Sequence, residues 1–253
     1  PGLNHVAFRV ADETGLGGIY TKCVKTSGIK NMKWLNPGAI ETGQGLALRV
    51  QDPSGMPVEF FCEMEKRERL LQKFNLYRGA EIMRLDHFNW QVPNVEIAYK
   101  WWMLELGFQM SEYTVTDEEP EKIWAVWLHR KQNVHDMAIM NGIGPRFHHT
   151  AFWVRNELSI LKTCDILASH GMTDLIERGP GRHGLSNAFF LYLRDPDGNR
   201  IELFTNDYMI PDPDFKPIKW KLSDPRRATF WGHRPPASWF EEASLVEDVT
   251  TGE

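Results

Sequence analysis

A short pattern occurs three times along the chain and limits the fold more than any other feature. It is a histidine followed by a β-prone, aromatic-rich stretch that ends in valine. The copies are His5-Val6-Ala7-Phe8-Arg9-Val10, His87-Phe88-Asn89-Trp90-Gln91-Val92 and His149-Thr150-Ala151-Phe152-Trp153-Val154. Such residues favour strands, and recurrence at long intervals marks a repeated supersecondary unit. A segment with helical character follows each copy, weak near Gly18 to Ser27 and clearer at Val95 to Leu106 and at Leu158 to His170, where Gly171 supplies a C-terminal cap.

A second repeat lies further along each unit. Asp52-Pro53-Ser54-Gly55 leads into Met56-Pro57-Val58-Glu59-Phe60-Phe61, and Asp195-Pro196-Asp197-Gly198 leads into Asn199-Arg200-Ile201-Glu202-Leu203-Phe204. The fixed φ of proline and the permissive glycine make each a tight turn feeding a strand. The unit is therefore strand, helix and about three strands, and the fold class is α+β, built from tandem βαβββ modules at about 1–64, 82–142 and 145–206. One such module leaves a sheet edge open and needs a second. The middle and third modules are expected to form one metal-binding domain over 82–206, and the first to want a partner. Pro1, with no methionine before it, suggests a start partway through such a protein, with the partner module preceding it. The charged, helix-prone run from Glu63 to Tyr77 predicts a connecting helix over 65–81. The segment 207–253, rich in Pro, Trp and Arg, has no period of its own and is expected to wrap as a lid, its acidic end from Glu241 frayed.

Composition narrows the function classes. Across 253 residues, 34 acidic against 29 basic side chains leave a formal net charge of −5, which excludes a nucleic-acid binder held by bulk positive charge. Hydrophobic residues at 42% and charged residues at 25% suit a chain with a substantial core. No apolar run is long enough to span a membrane and no signal segment is evident, so no membrane partner is expected. Cys23, Cys62 and Cys164 are scattered and form no CxxC pair, which reads as reduced thiols and a cytoplasmic location.

The repeat also places chemistry. His87 and His149 hold the same position in consecutive modules, and Glu202 lies on the last strand of the third, so pairing the modules brings two imidazoles and one carboxylate to one face. That set, with its remaining positions open, describes the facial triad of a non-haem Fe(II) site, and Mn(II) accepts the same ligands. A lone strand histidine is more often a hydrogen-bonded core residue, and two at equivalent positions with a phased glutamate weigh against that reading. His5 and Glu59 fill the same slots in the first module, whose second histidine would have to come from the preceding module, so no metal is expected there.

The stretches RLDHFNWQV at 84–92, HRKQNVHDMA at 129–138, GPRFHHTAF at 144–152, ERGPGRHGLSNAF at 177–189 and LYLRDPDGNRIELF at 191–204 together resemble the extradiol ring-cleaving catechol dioxygenases of the vicinal oxygen chelate superfamily. The resemblance runs over nearly the whole chain, to WGHRPPASWFEEASL, and such proteins have four modules. It implies His87, His149 and Glu202 as metal ligands, His135 as the acid/base beside the oxygen position, and Tyr192 and His183 as hydrogen-bond donors near the substrate oxygens. Asn89 and Trp127 would line the oxygen side. Arg178 and one of Arg226 or Arg227 would meet a substrate carboxylate, with Trp239 closing over it.

The resemblance further implies O2 as co-substrate, a small-molecule catechol as partner, most directly 3,4-dihydroxyphenylacetate, a muconic semialdehyde product and a homo-oligomer, a tetramer. Trp90 and the KPIKWKLSDPRR loop are expected near the pocket mouth. The alternatives are an extradiol enzyme for an alkyl- or trihydroxy-substituted aromatic, which shares the metal site and differs in the tail pocket, and a glyoxalase-type lyase or isomerase, which tends to carry more carboxylates and no counterpart of His135. A non-catalytic binding protein of the same fold would tolerate loss of a triad member.

Overall fold

The computed structural model describes residues 2–248. In chain order the elements are β1 (Gly2–Leu3), β2 (Val6–Arg9), α1 (Glu13–Lys25), β3 (Lys30–Leu35), β4 (Ala47–Gln51), β5 (Pro57–Phe61), β6 (Ile82–Val92), α2 (Val95–Leu104), β7 (Gln109–Val115), β8 (Ile123–His129), β9 (Met137–Asn141), β10 (Arg146–Val154), α3 (Glu157–Ser169), β11 (Ile176–Arg182), β12 (Phe189–Arg194), β13 (Arg200–Thr205), β14 (Ile218–Lys221), α4 (Ser238–Glu241) and β15 (Ser244–Val246). Three βαβββ modules are visible in this order. Among the described residues no helix is long and apolar enough to cross a membrane, and the three cysteines are free thiols.

Each module starts its helix in the same way. Two residues after the repeat valine stands Asp12, Asn94 or Asn156, and its side chain accepts from the backbone N–H of Gly15, Ile97 or Ser159. An Asx residue there satisfies a first-turn donor that the helix cannot. This cap moves the start of α1 to Glu13, earlier than its weak apolar period suggests. At the other end of α3, Gly171 adopts φ +68° and its N–H reaches Ala168 O, the glycine cap expected there.

The middle and third modules join through their first strands. β6 and β10 run antiparallel at the centre of a sheet ordered β11-β12-β13-β10-β6-β9-β8-β7-β14. The first module makes its own sheet, β2-β5-β4-β3, yet shares a core with the middle one: Val6, Leu16, Val58 and Phe60 bury together with Trp90, Trp101 and Trp102. Phe8 lies 5.2 Å from the Trp102 ring, whose Nε1 donates to the buried Asp52 of the first module's turn at 3.1 Å. Trp90 belongs to this core, fully buried 5.8 Å from Trp102, and not to a pocket mouth.

The connecting helix over 65–81 is not present. The segment holds one 3-10 turn at Phe74–Leu76 and leaves Leu70, Leu71 and Phe74 exposed. A short helix needs a packed apolar face to hold it, and among the described residues these side chains are not packed into one. The C-terminal end also differs from expectation. β15 pairs with β1 and with β10, so the chain beyond Glu241 is anchored at least to Val246. Pro1 and the last five residues lie outside the described residues, and with them the expectation drawn from the first residue.

Candidate metal centre and substrate pocket

Strand register assembles the site in two rows. In the first, Ala151 of β10 has His87 of β6 on one side and Glu202 of β13 on the other; Tyr192 of β12 follows Glu202, and Arg178 of β11 follows Tyr192. In the second, His149 faces Asn89, Asn89 faces Ala138 of β9, and Ala138 faces Trp127 of β8. Cross-strand neighbours share a face, so the rows project into one pocket. The alanine in each row keeps its middle open.

In the first row His87 Nε2 stands 3.1 Å from Glu202 Oε2, and His149 Nε2 is 3.2 Å from the same oxygen. One ligand atom from each of the three residues lies within 4.8 Å of the others, and all three side chains are buried. On the outer side, His87 Nδ1 meets Asp86 Oδ2 at 2.9 Å, and His149 Nδ1 meets His148 Nδ1 at 2.6 Å. Glu202 Oε1 is buried without a hydrogen bond, 3.6 Å from His183 Nε2.

Burial resists charge on His87, but Asp86 and Glu202 outweigh it and lift its pKa to about 9. Burial lowers His149 to about 4 against the pull of Glu202. Burial pushes the Glu202 carboxyl up, and the surrounding imidazoles, His149 foremost, hold it well below the usual carboxylate range.

Around this cluster lie the other residues drawn from the sequence. His135 is buried with its ring centroid 3.9 Å from that of His87, its Nδ1 unpartnered, and burial keeps it neutral. Burial also holds Tyr192 as the phenol, far above its ordinary pKa. His183 Nδ1 contacts Ala228 O at 2.6 Å, and a carbonyl only accepts, so Nδ1 carries the proton and Nε2 receives the Tyr192 O–H at 2.9 Å. Arg178 and Arg227 both line the pocket, with Asn89, Trp127 and Trp239. Arg226 does not: its side chain is 69% exposed and pairs with Asp224 at 2.8 Å. The two sit in a turn closed by Arg227 N–H to Asp224 O and Thr229 N–H to Pro225 O, where Asp224 holds the Arg226 side chain outward.

The C-terminal segment is fixed by its backbone. Gly184 N–H donates to Arg226 O, and Leu185 N–H to Arg227 O. A Cβ at Gly184 would fall 2.4 Å from Arg226 O, so the close approach requires glycine. Glu112, fully buried at the end of the second row beyond Trp127, accepts from Ser186 N, Tyr208 OH and Trp220 Nε1, tying β14 and the 185–187 turn to β7. Sequence reasoning missed Asp86, Glu112, His148 and the alanines at 138 and 151. The residue next to a candidate ligand and the strand period carried a signal for Asp86, His148 and Ala151; nothing local marked Glu112.

Residues 84–203 match the family model described as the glyoxalase/bleomycin resistance protein/dioxygenase superfamily. The manganese-dependent 2,3-dihydroxybiphenyl 1,2-dioxygenase of Geobacillus genomosp. 3 is 35% identical over 244 residues, covering 90% of this chain and 75% of that protein. The chain belongs to the extradiol ring-cleaving catechol dioxygenases of this superfamily. Another extradiol relative, a metapyrocatechase of Geobacillus stearothermophilus, is 30% identical across 97% of this chain and 76% of its own length. Among solved structures, homoprotocatechuate 2,3-dioxygenase from Brevibacterium fuscum in complex with 3,4-dihydroxyphenylacetate superposes with a TM-score of 0.91 at 40% identity, covering 98% of this chain and 76% of that one.

An extradiol dioxygenase requires a divalent metal, and the cluster fits one. Two imidazoles each have one nitrogen held from outside and the other turned inward, and a buried carboxylate keeps one oxygen free of hydrogen bonds. That donor set suits Fe(II) or Mn(II) and leaves several coordination positions to other groups.

Proposed function

We propose that this extradiol dioxygenase cleaves 3,4-dihydroxyphenylacetate next to its diol, inserting both atoms of O2 to give a muconic semialdehyde, with Fe(II) or Mn(II) held by His87, His149 and Glu202. When bound there, the ion supplies chelation of the catechol and the redox link between ring and dioxygen. The remaining roles fall to side chains. His135, neutral and beside His87, accepts and returns a proton on the oxygen side. Tyr192 and His183 present a paired phenol and imidazole toward the substrate oxygens. Asn89 and Trp127 bound the space opposite Arg178.

The observation that carries the choice of substrate is a pair of arginines, Arg178 buried and Arg227 half-buried, that line the pocket. Among the described residues, the Nε groups of Arg178 and Arg227 are buried without a hydrogen-bond partner, and both side chains line the pocket. Two cations with buried, spare Nε donors suit a carboxylate, which is costly to bury unpaired. Trp239 lies over Arg178, 4.5 Å from ring centroid to guanidinium, and covers the place where a tail would sit.

The test compares 3,4-dihydroxyphenylacetate with 4-methylcatechol on the Fe(II)-loaded protein, unmutated and as Arg227→Met. Arg227 is preferred for substitution because Arg178 also holds Ala228 O and Thr229 Oγ1. The acid should be favoured, and Arg227→Met should lower its kcat/KM about 10- to 100-fold, the worth of a hydrogen bond to a charged group, while barely changing the uncharged catechol. If the unmutated enzyme favours 4-methylcatechol, the substrate is an uncharged aromatic diol instead, such as the relative named for dihydroxybiphenyl cleaves.

A further inference from the structure

We infer that His148 is a positioning residue that couples the C-terminal helix over the pocket to the orientation and tautomer of His149. This rests on the proposed metal site. His148 is 1% exposed and lies between the two, with Nε2 2.9 Å from Trp239 O and Nδ1 2.6 Å from His149 Nδ1.

The protons along this chain follow from its carbonyl end. Trp239 O can only accept, so His148 Nε2 carries an N–H. With that proton on Nε2, His148 turns a bare Nδ1 to His149 Nδ1, which stands at hydrogen-bond distance, 2.6 Å. His149 Nδ1 must then donate, which leaves His149 Nε2 without a proton. That nitrogen is the one facing Glu202, and it is in the form a metal ligand needs. His87 Nδ1 is held instead by Asp86 Oδ2, at 2.9 Å.

His149 is thus tied through His148 to the docked α4. The docking is strong on the other side as well: buried Arg200 donates to Ser238 O, to Glu242 O and to His148 O. The Trp239 ring meanwhile packs 4.3 Å from Tyr192 and over Arg178. One residue thus covers the substrate pocket with its ring and fixes a ligand histidine with its carbonyl.

Three variants test the coupling. His148→Phe keeps the ring and loses both hydrogen bonds, His148→Gln can accept from His149 and donate to Trp239, and His148→Asn reaches His149 alone. Mn(II) affinity is read anaerobically from the free-ion EPR signal, which needs no turnover, and KM for the catechol is read separately. His148→Phe should bind Mn(II) about 10- to 100-fold more weakly, as expected for losing the partner of a ligating histidine. His148→Gln should restore both affinity and KM. His148→Asn should restore affinity but keep a raised KM.

Unchanged affinity in His148→Phe, or a His148→Gln protein as weak as His148→Phe, overturns the coupling. If His148→Phe does not fold, the two amide variants decide, and equal KM in both overturns it. An unmutated protein that takes up neither Mn(II) nor Fe(II) overturns the dioxygenase reading and the coupling together.

Discussion

His87 and Glu202 flank β10 in a single cross-strand row, with Nε2 3.1 Å from Oε2 and only the methyl group of Ala151 in the row between them. The candidate metal site is thus a gap in a sheet face, bounded by side chains from three strands and kept open by a small residue. His149, two positions before Ala151 on the same strand, closes it from the side.

Filling that gap should abolish metal binding while the sheet survives. Ala151→Leu places a branched side chain among the three ligands, and overpacking costs about 1–3 kcal/mol. Metal analysis after dialysis should show none retained, as for His149→Ala or Glu202→Ala, while circular dichroism stays native. A leucine variant that holds a full equivalent of metal would show that the ion sits elsewhere.

His135→Asn should retain metal and bind catechol but turn over about 10²- to 10⁴-fold more slowly, the usual loss for a positioned acid/base. The ring has no hydrogen bond to the triad and its Nδ1 is unpartnered, so its removal leaves the ligands in place. Stopped-flow turnover and metal content, measured on the same sample, separate the two effects; lost metal would make His135 a ligand.

The first module fills the same slots differently, with His5 and Glu59 joined by Glu41 in a second group whose ligand atoms lie within 4.8 Å of one another. His5, Ala7 and Glu59 repeat His149, Ala151 and Glu202, but the position of Tyr192 is taken by Arg49, whose Nε and Nη2 donate to Glu59 Oε2. A guanidinium already neutralises the carboxylate there. Glu59→Ala should leave metal content unchanged and destabilise the protein by about 1–3 kcal/mol, because buried Arg49 loses its bidentate partner and keeps only Glu41 at 3.6 Å and Asn4 at 2.9 Å. Denaturant unfolding checks the size, and a lost metal equivalent would contradict the assignment.

Acid should loosen the C-terminal helix through Glu177. Burial pushes this carboxyl up, yet Arg200, Arg194 and Ser238 hold it down at about 2. A folded pKa below the unfolded 4.5 means that the stabilisation is complete above about pH 4.5 and is lost as pH falls toward about 2. Melting temperature should therefore drop more steeply below pH 4.5 in the unmutated protein than in Glu177→Gln. Parallel profiles would remove Glu177 from the account.

What could be read from the residues in order was whatever depends on local period and repetition. A histidine at the same place in two repeats, with a glutamate three strands later, specifies a shared face, because side-chain direction in a strand alternates with period two. Asp-Pro-x-Gly turns and the Asx caps act within four residues, so the modules and their helices follow from the sequence itself. The family motifs added His135, Tyr192, His183, Arg178, Asn89, Trp127 and Trp239, all of which the tertiary structure gathers at one pocket.

Other features depended on what lies across space. Which of Arg226 and Arg227 faces inward was set by where the segment docks against Gly184 and Leu185. Trp90 went into a core shared between the first two modules because Trp102 and Phe8 were there to receive it. The charged run after Glu63 formed no α-helix, and its leucines, Leu70, Leu71 and Leu76, stand exposed among the described residues. Glu112 and His148 owe their significance to partners 74 to 108 and 91 positions away. A hydrogen bond needs its donor and acceptor within about 3 Å, and only the folded chain determines which distant groups meet that distance.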